Sequence, residues 1–230
     1  MTTNETARAI ADEIEARVMA LSAGTVPALR TIRREFSARL RDEAPELVLA
    51  VAIELIRRRH RVHRFIPVIA DELVGERPDV MCLLTRESVE ALGEGLSSWD
   101  EVDSFACTVA GQTWRDGRID DTTVAVWAAS ADRWWRRPAL VSTVPLNLKS
   151  RGGTGDTRRT LWVCDLLIAD RDDMVVKAMS WALRALAVRD PAAVHAYLEE
   201  HAQKLAPRVN REVKTKLVTG SKNGPRVRPC

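Results

Sequence analysis

The side chains best suited to chemistry in this sequence are a tryptophan and an aspartate four residues apart. Trp99 and Asp103 lie within the run Ser-Trp-Asp-Glu-Val-Asp at positions 98–103. Residues i and i+4 share one face of a helix, so the indole and the carboxylate would project side by side. A fixed carboxylate stabilises a developing positive charge, and the face of an indole binds a sugar, a base or a cation.

The same run predicts the start of the helix that must carry this pair. Ser98 followed three residues later by Glu101 matches a capping box, in which each side chain hydrogen-bonds the backbone N–H of the other residue. We therefore expect Ser98 to be the N-cap of a helix over 99–113. A tryptophan on a helix is more often core packing, and an aspartate one turn later is more often a surface charge. The spacing alone therefore does not establish a site.

The periodicity of apolar residues is helical along nearly the whole chain, and the alternation typical of strands is scarce. The predicted helices are 4–22, 26–41, 44–58, 62–74, 78–92, 99–113, 121–131, 135–149, 158–169, 172–188, 191–205 and 207–218. The stretches 137–142 and 176–181 resemble each other at a spacing of 39 residues, close to the repeat length of HEAT and armadillo proteins. The sequence thus predicts an all-α fold and favours a HEAT-like α-α superhelix (solenoid), whose concave face suits a rod-shaped partner.

The positive charge of the chain is concentrated at its carboxyl end. The net charge is +3, but residues 201–230 carry eight Lys and Arg against one Glu, which gives this segment a net charge of +7. A basic end on a mildly acidic body favours a polyanion such as nucleic acid, although such segments are often only solvated. We predict a single HEAT-like repeat domain over 1–218, followed by a basic, disordered tail over 219–230.

Several classes of protein and of site are disfavoured by the sequence. The first twenty residues read as an acidic amphipathic helix rather than a signal peptide, and no apolar run approaches the ~20 residues that span a membrane. The H-E-x-x-H, G-x-S-x-G and Walker lysine motifs are absent. His60 and His63 lie among arginines that would repel a cation, so we expect no metal site there. The four cysteines lack C-x-x-C spacing, which favours reduced thiols and a cytoplasmic protein.

Three blocks of the sequence resemble, in this order, the AlkD-like alkylpurine DNA glycosylases of the HEAT-like repeat class. The blocks are W-x-x-x-D at 99–103, W-x-x-R-x-A at 134–139 and K-A-x-x-W-x-L-R at 177–184. Each block alone is a weak signal, whereas the three in order are moderately to highly specific. Together they order the region from about 60 to 205, and the helices before it fit the amino-terminal part of the family.

The resemblance implies a role for each matching position. Asp103 matches the catalytic carboxylate, and Trp99 matches the tryptophan one turn before it. Arg137 matches the arginine of the active-site groove, with Arg136 as the alternative if the register slips by one residue. Trp181 matches a second tryptophan that faces the sugar of the damaged nucleotide.

The resemblance also implies an activity. The chain would be a monomeric DNA glycosylase that hydrolyses the N-glycosidic bond of N3- and N7-alkylated purines in double-stranded DNA, without a metal or an organic cofactor. Such a purine is already cationic and leaves as a neutral base, so the charge to be stabilised develops on the deoxyribose. Asp103 would stabilise this oxocarbenium-like sugar and position the attacking water.

Two alternatives stay open at the level of sequence. The family often has a tyrosine near its start, but the only tyrosine here is Tyr197, and Pro138 directly follows Arg137. Proline is tolerated in the first turn of a helix, so we expect a helix that begins within 134–137 and has Arg137 in its first turn. These departures motivate a DNA-binding paralogue without excision activity. The third reading is a HEAT-type protein–protein scaffold.

Overall fold

The computed structural model describes residues 2–21, 25–58 and 65–223, and within these ranges every regular element is helical. The all-α class predicted from the sequence is therefore confirmed. Helices in this part of the chain are too short or too polar to cross a membrane. The chain separates into two compact units, with the division between Thr113 and Trp114. His60, His63 and the residues after 223 lie outside the described ranges.

The first unit is built around two helices, α3 and α4. Its helices are α1 Thr3–Met19, α2 Val26–Arg39, α3 Pro45–Arg57, α4 Ile66–Gly75, α5 Pro78–Leu83, α6 Arg86–Leu92 and α7 Trp99–Phe105, followed by a π-helix Ala106–Ala110 and by α8 Gly111–Arg115, which reaches the division. Helix α3 packs against α1, α4, α5 and α6, and α4 packs against α2, α7 and the π-helix. Two rows of helices result: α1, α3 and α5–α6 form one row, and α2, α4 and α7 form the other.

The second unit is built around α13. Its helices are α9 Asp121–Ala128, α10 Arg133–Val141, α11 Val144–Asn147, a 3-10 turn Lys149–Arg151, α12 Thr157–Leu166, α13 Asp173–Leu186, α14 Pro191–Glu200 and α15 Pro207–Thr219. Three neighbouring pairs, α9–α10, α12–α13 and α14–α15, are in contact, and so are α9 with α12, α10 with α13 and α13 with α15. The second helices of the first two pairs begin 40 residues apart, one more than the 39-residue spacing noted in the sequence.

Aspartates cap five helices of the second unit. Each accepts a hydrogen bond from a backbone N–H in the first turn, which satisfies a donor that the helix itself leaves unpaired. The capping residues of α9, α10, α12, α13 and α14 are Asp120, Asp132, Asp156, Asp172 and Asp190. The caps Asp132 and Asp172 fix where α10 and α13 begin, and these two helices carry three of the predicted site residues.

Two predicted helices are each divided in two. The helix predicted over 78–92 breaks before Thr85, because Thr85 and Ser88 form a capping box that starts α6: Ser88 N donates to Thr85 Oγ1, and Thr85 N donates to Ser88 Oγ at 2.8 Å. The helix predicted over 135–149 runs from Arg133 to Val141 and restarts as α11, where a proline occupies the first turn. In both cases local side-chain chemistry overrides a continuous apolar periodicity.

The predicted tail begins inside the last helix. Helix α15 ends at Thr219, and Gly220 follows as its C-cap with φ 71°, a left-handed conformation that suits glycine. The disorder predicted for the remaining residues stays a prediction.

Candidate functional site

Trp99 and Asp103 lie together at the beginning of α7. Ser98 is the N-cap, with the extended backbone typical of that position (φ −143°, ψ 159°), and Trp99 is the first helical residue. The Trp99 side chain is 57% exposed, whereas most large apolar side chains of the first unit are buried. Asp103 follows one turn later and is half-buried. The helix therefore presents an indole and a carboxylate side by side, as the spacing predicts.

The capping box predicted at this helix start is wrong, because the hydrogen-bond partners differ from those predicted. The side chain of Ser98 makes no capping hydrogen bond, and its Oγ is buried without a hydrogen-bond partner. Glu101 does reach back, but its Oε2 accepts from the backbone N of Ser97 at 2.9 Å and from Ser97 Oγ at 3.1 Å. Two consecutive serines precede the helix, and the carboxylate takes both donors of the first one. Glu101, at 4% exposure, still holds the chain at the helix start.

A π-helix follows α7 directly. The N–H of Gly111 donates to Ala106 O, five residues earlier, and all five residues of this segment are buried. Helix α4 approaches the segment closely, because a Cβ added at Gly75 would lie 2.3 Å from Thr108 Cγ2 and 3.0 Å from Thr108 O. π-Helical segments are rare and occur frequently at functional sites. The sequence analysis predicted an ordinary helix here.

An apolar cleft lies along the neighbouring face of α7. It has a volume of about 190 Å³ and lies between α2, α4 and α7. Its walls include Leu29, Val68 and Ile69, and Asp100 and Ser104 line it from α7. Asp100 and Ser104 are again spaced i and i+4, so α7 presents two adjacent polar pairs.

Arg137 is buried on α10, at 5% exposure. Its Nη1 donates to the backbone carbonyl of Met174 at the start of α13, at 2.6 Å. The first-turn position predicted for Arg137 is wrong, because Asp132 accepts from Trp134 N at 2.9 Å and starts the helix at residue 133. Arg137 is thus the fifth helical residue, and Pro138 lies inside the helix, where it provides no N–H for the carbonyl four residues earlier.

Arg136, the alternative in the predicted register, is fixed by other contacts. Its Nε donates to Asp170 Oδ2 at 2.7 Å, and its Nη1 donates to the carbonyls of Ser130 and Ala131. These bonds connect the loop before α10 with the loop before α13. Whether Arg136 or Arg137 contacts a ligand stays a prediction.

Trp181 lies in the middle of α13 and is half-buried. Lys177 one turn earlier forms an ion pair with Asp173 at 2.6 Å. Arg184, almost one turn later, donates from Nε to Ser180 Oγ at 3.2 Å. Burial lowers the pKa of Arg184 from its usual value, and the nearby carboxylate of Glu212 acts in the opposite direction. Trp181 is thus flanked along its helix by cationic side chains.

The structure therefore brings the predicted residues together in two sets. Trp99 and Asp103 share α7, and Arg137 and Trp181 lie on α10 and α13, which pack against each other. Of the basic residues on α15, Arg208 forms ion pairs with Asp173 and Glu212, while Arg211 and Lys214 are exposed. Over the described ranges, no group of three or more His, Cys, Asp or Glu side chains is arranged to hold a metal ion.

Comparison with known proteins gives one finding. A family model described as "DNA alkylation repair enzyme" matches residues 5–217, which cover most of both units and all the predicted site residues. A comparison with curated proteins gives no match.

Proposed function

We propose that this chain, which belongs to the DNA alkylation repair enzyme family, is a DNA glycosylase. The reaction is hydrolysis of the N-glycosidic bond of N3- and N7-alkylated purines in duplex DNA, which leaves an abasic site. The observation that carries the proposal is the exposed indole of Trp99 beside the half-buried carboxylate of Asp103 on α7.

This reaction requires few catalytic groups from the protein. An N3- or N7-alkylated purine carries a positive charge and departs as a neutral base, so no general acid is needed. Positive charge then develops on the deoxyribose, as in other glycosyl transfers. A carboxylate about 4 Å from that charge, at an effective dielectric of ~20, contributes ~4 kcal/mol, or roughly a thousandfold in rate. Asp103 has this role in the proposal, and it also orients the attacking water.

The remaining residues hold the damaged nucleotide. Trp99 and Trp181 contact the sugar and the cationic base through their ring faces, which is worth ~0.5–2 kcal/mol for each contact. Arg137 positions a phosphate of the damaged strand. The bond from Arg137 to the Met174 carbonyl holds its guanidinium against α13, the helix that carries Trp181.

A HEAT-like repeat arrangement is the second part of the proposal. Three observations support it: the paired helices of the second unit, the row α10–α13–α15 formed by their second members, and the row α2–α4–α7 of the first unit. The predicted site residues all lie on helices of these two rows. We propose that the helices repeat in the HEAT-like manner, that each row presents a DNA-binding face in its own unit, and that one copy of the chain acts on one lesion.

Release of N7-methylguanine from duplex DNA tests the proposal. We expect the wild-type chain to release the base and Asp103→Asn to release it roughly a thousandfold more slowly, from the electrostatic argument above. Asp100→Asn is the matched control, because it removes a half-buried carboxylate from the same helix. It should remain within about threefold of the wild-type rate. A wild-type chain that releases nothing, or an Asp103→Asn chain that is as fast as the wild type, contradicts the proposal.

A second candidate function is a DNA-binding paralogue without excision. It is favoured by the near-complete burial of Arg137 and by the proline that follows it inside α10. This candidate predicts binding to duplex DNA that weakens with salt, with no base release at any enzyme concentration. Turnover of an alkylated duplex excludes it.

A further inference from the structure

The arginines of α2 and of the turn that follows it differ in whether they have a carboxylate partner. Arg33 forms an ion pair with Glu72 of α4 at 2.8 Å, and Arg39 pairs with Glu13 of α1. These pairs connect α2 to its neighbours within the first unit. The other arginines of this segment form no ion pair with any residue that the structure describes, and they are Arg30, Arg34 and Arg41. We call these three the unpaired arginines of α2.

All three unpaired arginines are exposed. Arg34 donates from Nε to the carbonyl of Arg30 at 3.2 Å, which leaves both terminal nitrogens of its guanidinium available. Most arginines described in the first unit pair with a carboxylate, and among them only Arg8 on α1 also lacks an ion pair. Exposed cations that the fold does not neutralise attract an anionic partner. Their concentration on α2 therefore marks this helix as a binding surface.

Two of the unpaired arginines line one cavity. The cavity has a volume of about 400 Å³, lies between α2, α3 and α4, and has Arg34 and Arg41 in its wall. Among the described residues of this wall, the only carboxylate is that of Glu76, and Arg33 already binds it. Arg77 also lines the cavity, but it pairs with an aspartate outside the wall. Arg34 and Arg41 therefore give the cavity a positive charge that no neighbour compensates.

The third unpaired arginine, Arg30, lies beside α7. It lines the apolar cleft of about 190 Å³ that α7 also lines through Asp100 and Ser104. Arg30 and Arg41 are eleven residues apart, which is about 16 Å along the axis of α2 and the following turn. One DNA strand carries a phosphate for every ~3.4 Å of helix axis, so this length matches about five phosphates. The unpaired arginines thus extend along α2 from the neighbourhood of the helix that carries Asp103.

We propose that the unpaired arginines of α2 bind phosphates of the DNA backbone beside the lesion. The inference rests on the glycosylase function proposed above, and it assigns the DNA contacts of the first unit outside α7. A guanidinium group binds two oxygens of one phosphate through parallel N–H bonds, and a row of such groups along a helix fits the evenly spaced charges of a duplex. Contacts of this kind determine the affinity and orientation of the duplex without reading its sequence.

The test measures binding to an undamaged duplex by fluorescence anisotropy at several salt concentrations. The triple variant Arg30→Gln, Arg34→Gln and Arg41→Gln should reduce the slope of log K against log salt by about 2.7, or about 0.9 for each lost phosphate contact. Each of the three single variants should reduce the slope by about 0.9. The corresponding triple lysine variant keeps the charges, so its slope should remain close to that of the wild type.

Arg8→Gln is the matched control. Arg8 is also exposed and has no ion pair with a described residue, but it lies on α1, in the other row of helices of the first unit. Its loss should leave the salt slope unchanged. The rate of N7-methylguanine release at saturating enzyme should stay within about threefold of the wild type in all these variants, because none of the substituted residues contacts the reacting nucleotide.

Binding and base release together separate this inference from the proposed function. A triple glutamine variant with the salt slope of the wild type overturns the assignment of α2 and leaves the glycosylase proposal intact. An equal loss of slope in Arg8→Gln and in a single α2 variant also overturns it, since the effect would then follow total charge. If the triple variant does not fold, the single variants decide by the same criterion. A wild type that binds the duplex with the predicted losses in the variants, but releases no base, supports this inference and overturns the proposed function. A wild type that does not bind a duplex overturns both.

Discussion

At the scale of the residue, two tryptophans with opposite surroundings show why spacing alone does not define a site. Trp114 is fully buried, and its Nε1 donates to Asp121 Oδ1 at 2.9 Å, so both the apolar ring and its polar atom are satisfied inside the second unit. Trp99 is 57% exposed at the start of α7. An indole that is left in water contributes little to folding, which supports a role in binding.

Replacement of Trp99 by alanine should therefore weaken the contact with the substrate and leave the free energy of unfolding nearly unchanged. We expect Trp99→Ala to change the free energy of unfolding by no more than about 0.5 kcal/mol, the usual range for surface substitutions. It should weaken excision by about tenfold, in line with the loss of a cation–π contact of ~0.5–2 kcal/mol. Urea unfolding and single-turnover base release measure the two quantities.

Trp114→Ala is the contrasting variant for this prediction. It removes a fully buried ring, which typically costs ~3–5 kcal/mol. If Trp99→Ala destabilises the chain as much as Trp114→Ala does, Trp99 is a packing residue and its exposed face has no special role.

At the scale of the element, the helix that carries Asp103 depends on a close backbone contact. Gly75 at the end of α4 lies against Thr108 of the π-helix, with no room for a side chain. The contact explains why a glycine occupies the last turn of a helix otherwise rich in buried apolar residues. It holds the π-helix close against α4.

Gly75→Ala should consequently destabilise the first unit. The new methyl group would lie 2.3 Å from Thr108 Cγ2, and overpacking of this kind costs ~1–3 kcal/mol. The double variant Gly75→Ala with Thr108→Ser removes the clashing methyl group, so it should recover part of this loss in urea unfolding. A double variant that is no more stable than Gly75→Ala would show that the clash is not the cause.

The capping aspartates should make the stability of the chain depend on pH. Hydrogen bonds from Thr122 Oγ1 and from the backbone and side chain of Thr123 lower the pKa of Asp120 to about 2. The folded chain thus favours the ionised carboxylate, and its contribution is present above the unfolded pKa of ~3.9 and is lost as the pH falls through about 2.

Melting temperatures should report this loss. Asp120→Ala is expected to melt below the wild type at pH 7, and the difference should shrink progressively as the pH is lowered from 4 to 2. A difference that is constant over this range would show that the carboxylate charge does not contribute to the cap.

At the scale of the whole molecule, the sequence predicts the class and most helices but not the details that direct the site. Short polar residues and prolines at the starts of α7, α9 and α14 are local signals, so these starts could be predicted even though Ser98 makes no capping bond. The π-helix was missed because Val102, Phe105, Ala106 and Val109 follow each other at α-helical spacing, so the apolar pattern predicts an ordinary helix through this segment. The burial of Arg137 was missed because arginine is rarely buried. Its partner, the backbone carbonyl of Met174, cannot be recognised in the sequence.

The positive charge of the carboxyl-terminal part should contribute to DNA binding. Lys214 is exposed on α15, whereas Arg208 on the same helix is engaged with Asp173 and Glu212. We expect Lys214→Ala to weaken binding to any duplex and to reduce the slope of log K against log salt by about 0.9, the value for one phosphate contact. Fluorescence anisotropy at several salt concentrations measures the slope.

A truncation after residue 218 separates the helix from the tail. If the truncated chain keeps both the affinity and the salt slope of the full chain, the tail is not part of the DNA site. An unchanged slope for Lys214→Ala would contradict the assignment of α15 to the DNA-binding face.

The central claim is that Asp103 supports cleavage of the glycosidic bond, and one measurement tests it most directly. The first-order rate of N7-methylguanine release is measured with enzyme in excess over the duplex, for the wild type, Asp103→Asn and Asp100→Asn. The account predicts release by the wild type, release by Asp100→Asn within about threefold of it, and a loss of roughly a thousandfold for Asp103→Asn. Equal rates for Asp103→Asn and the wild type would contradict the account.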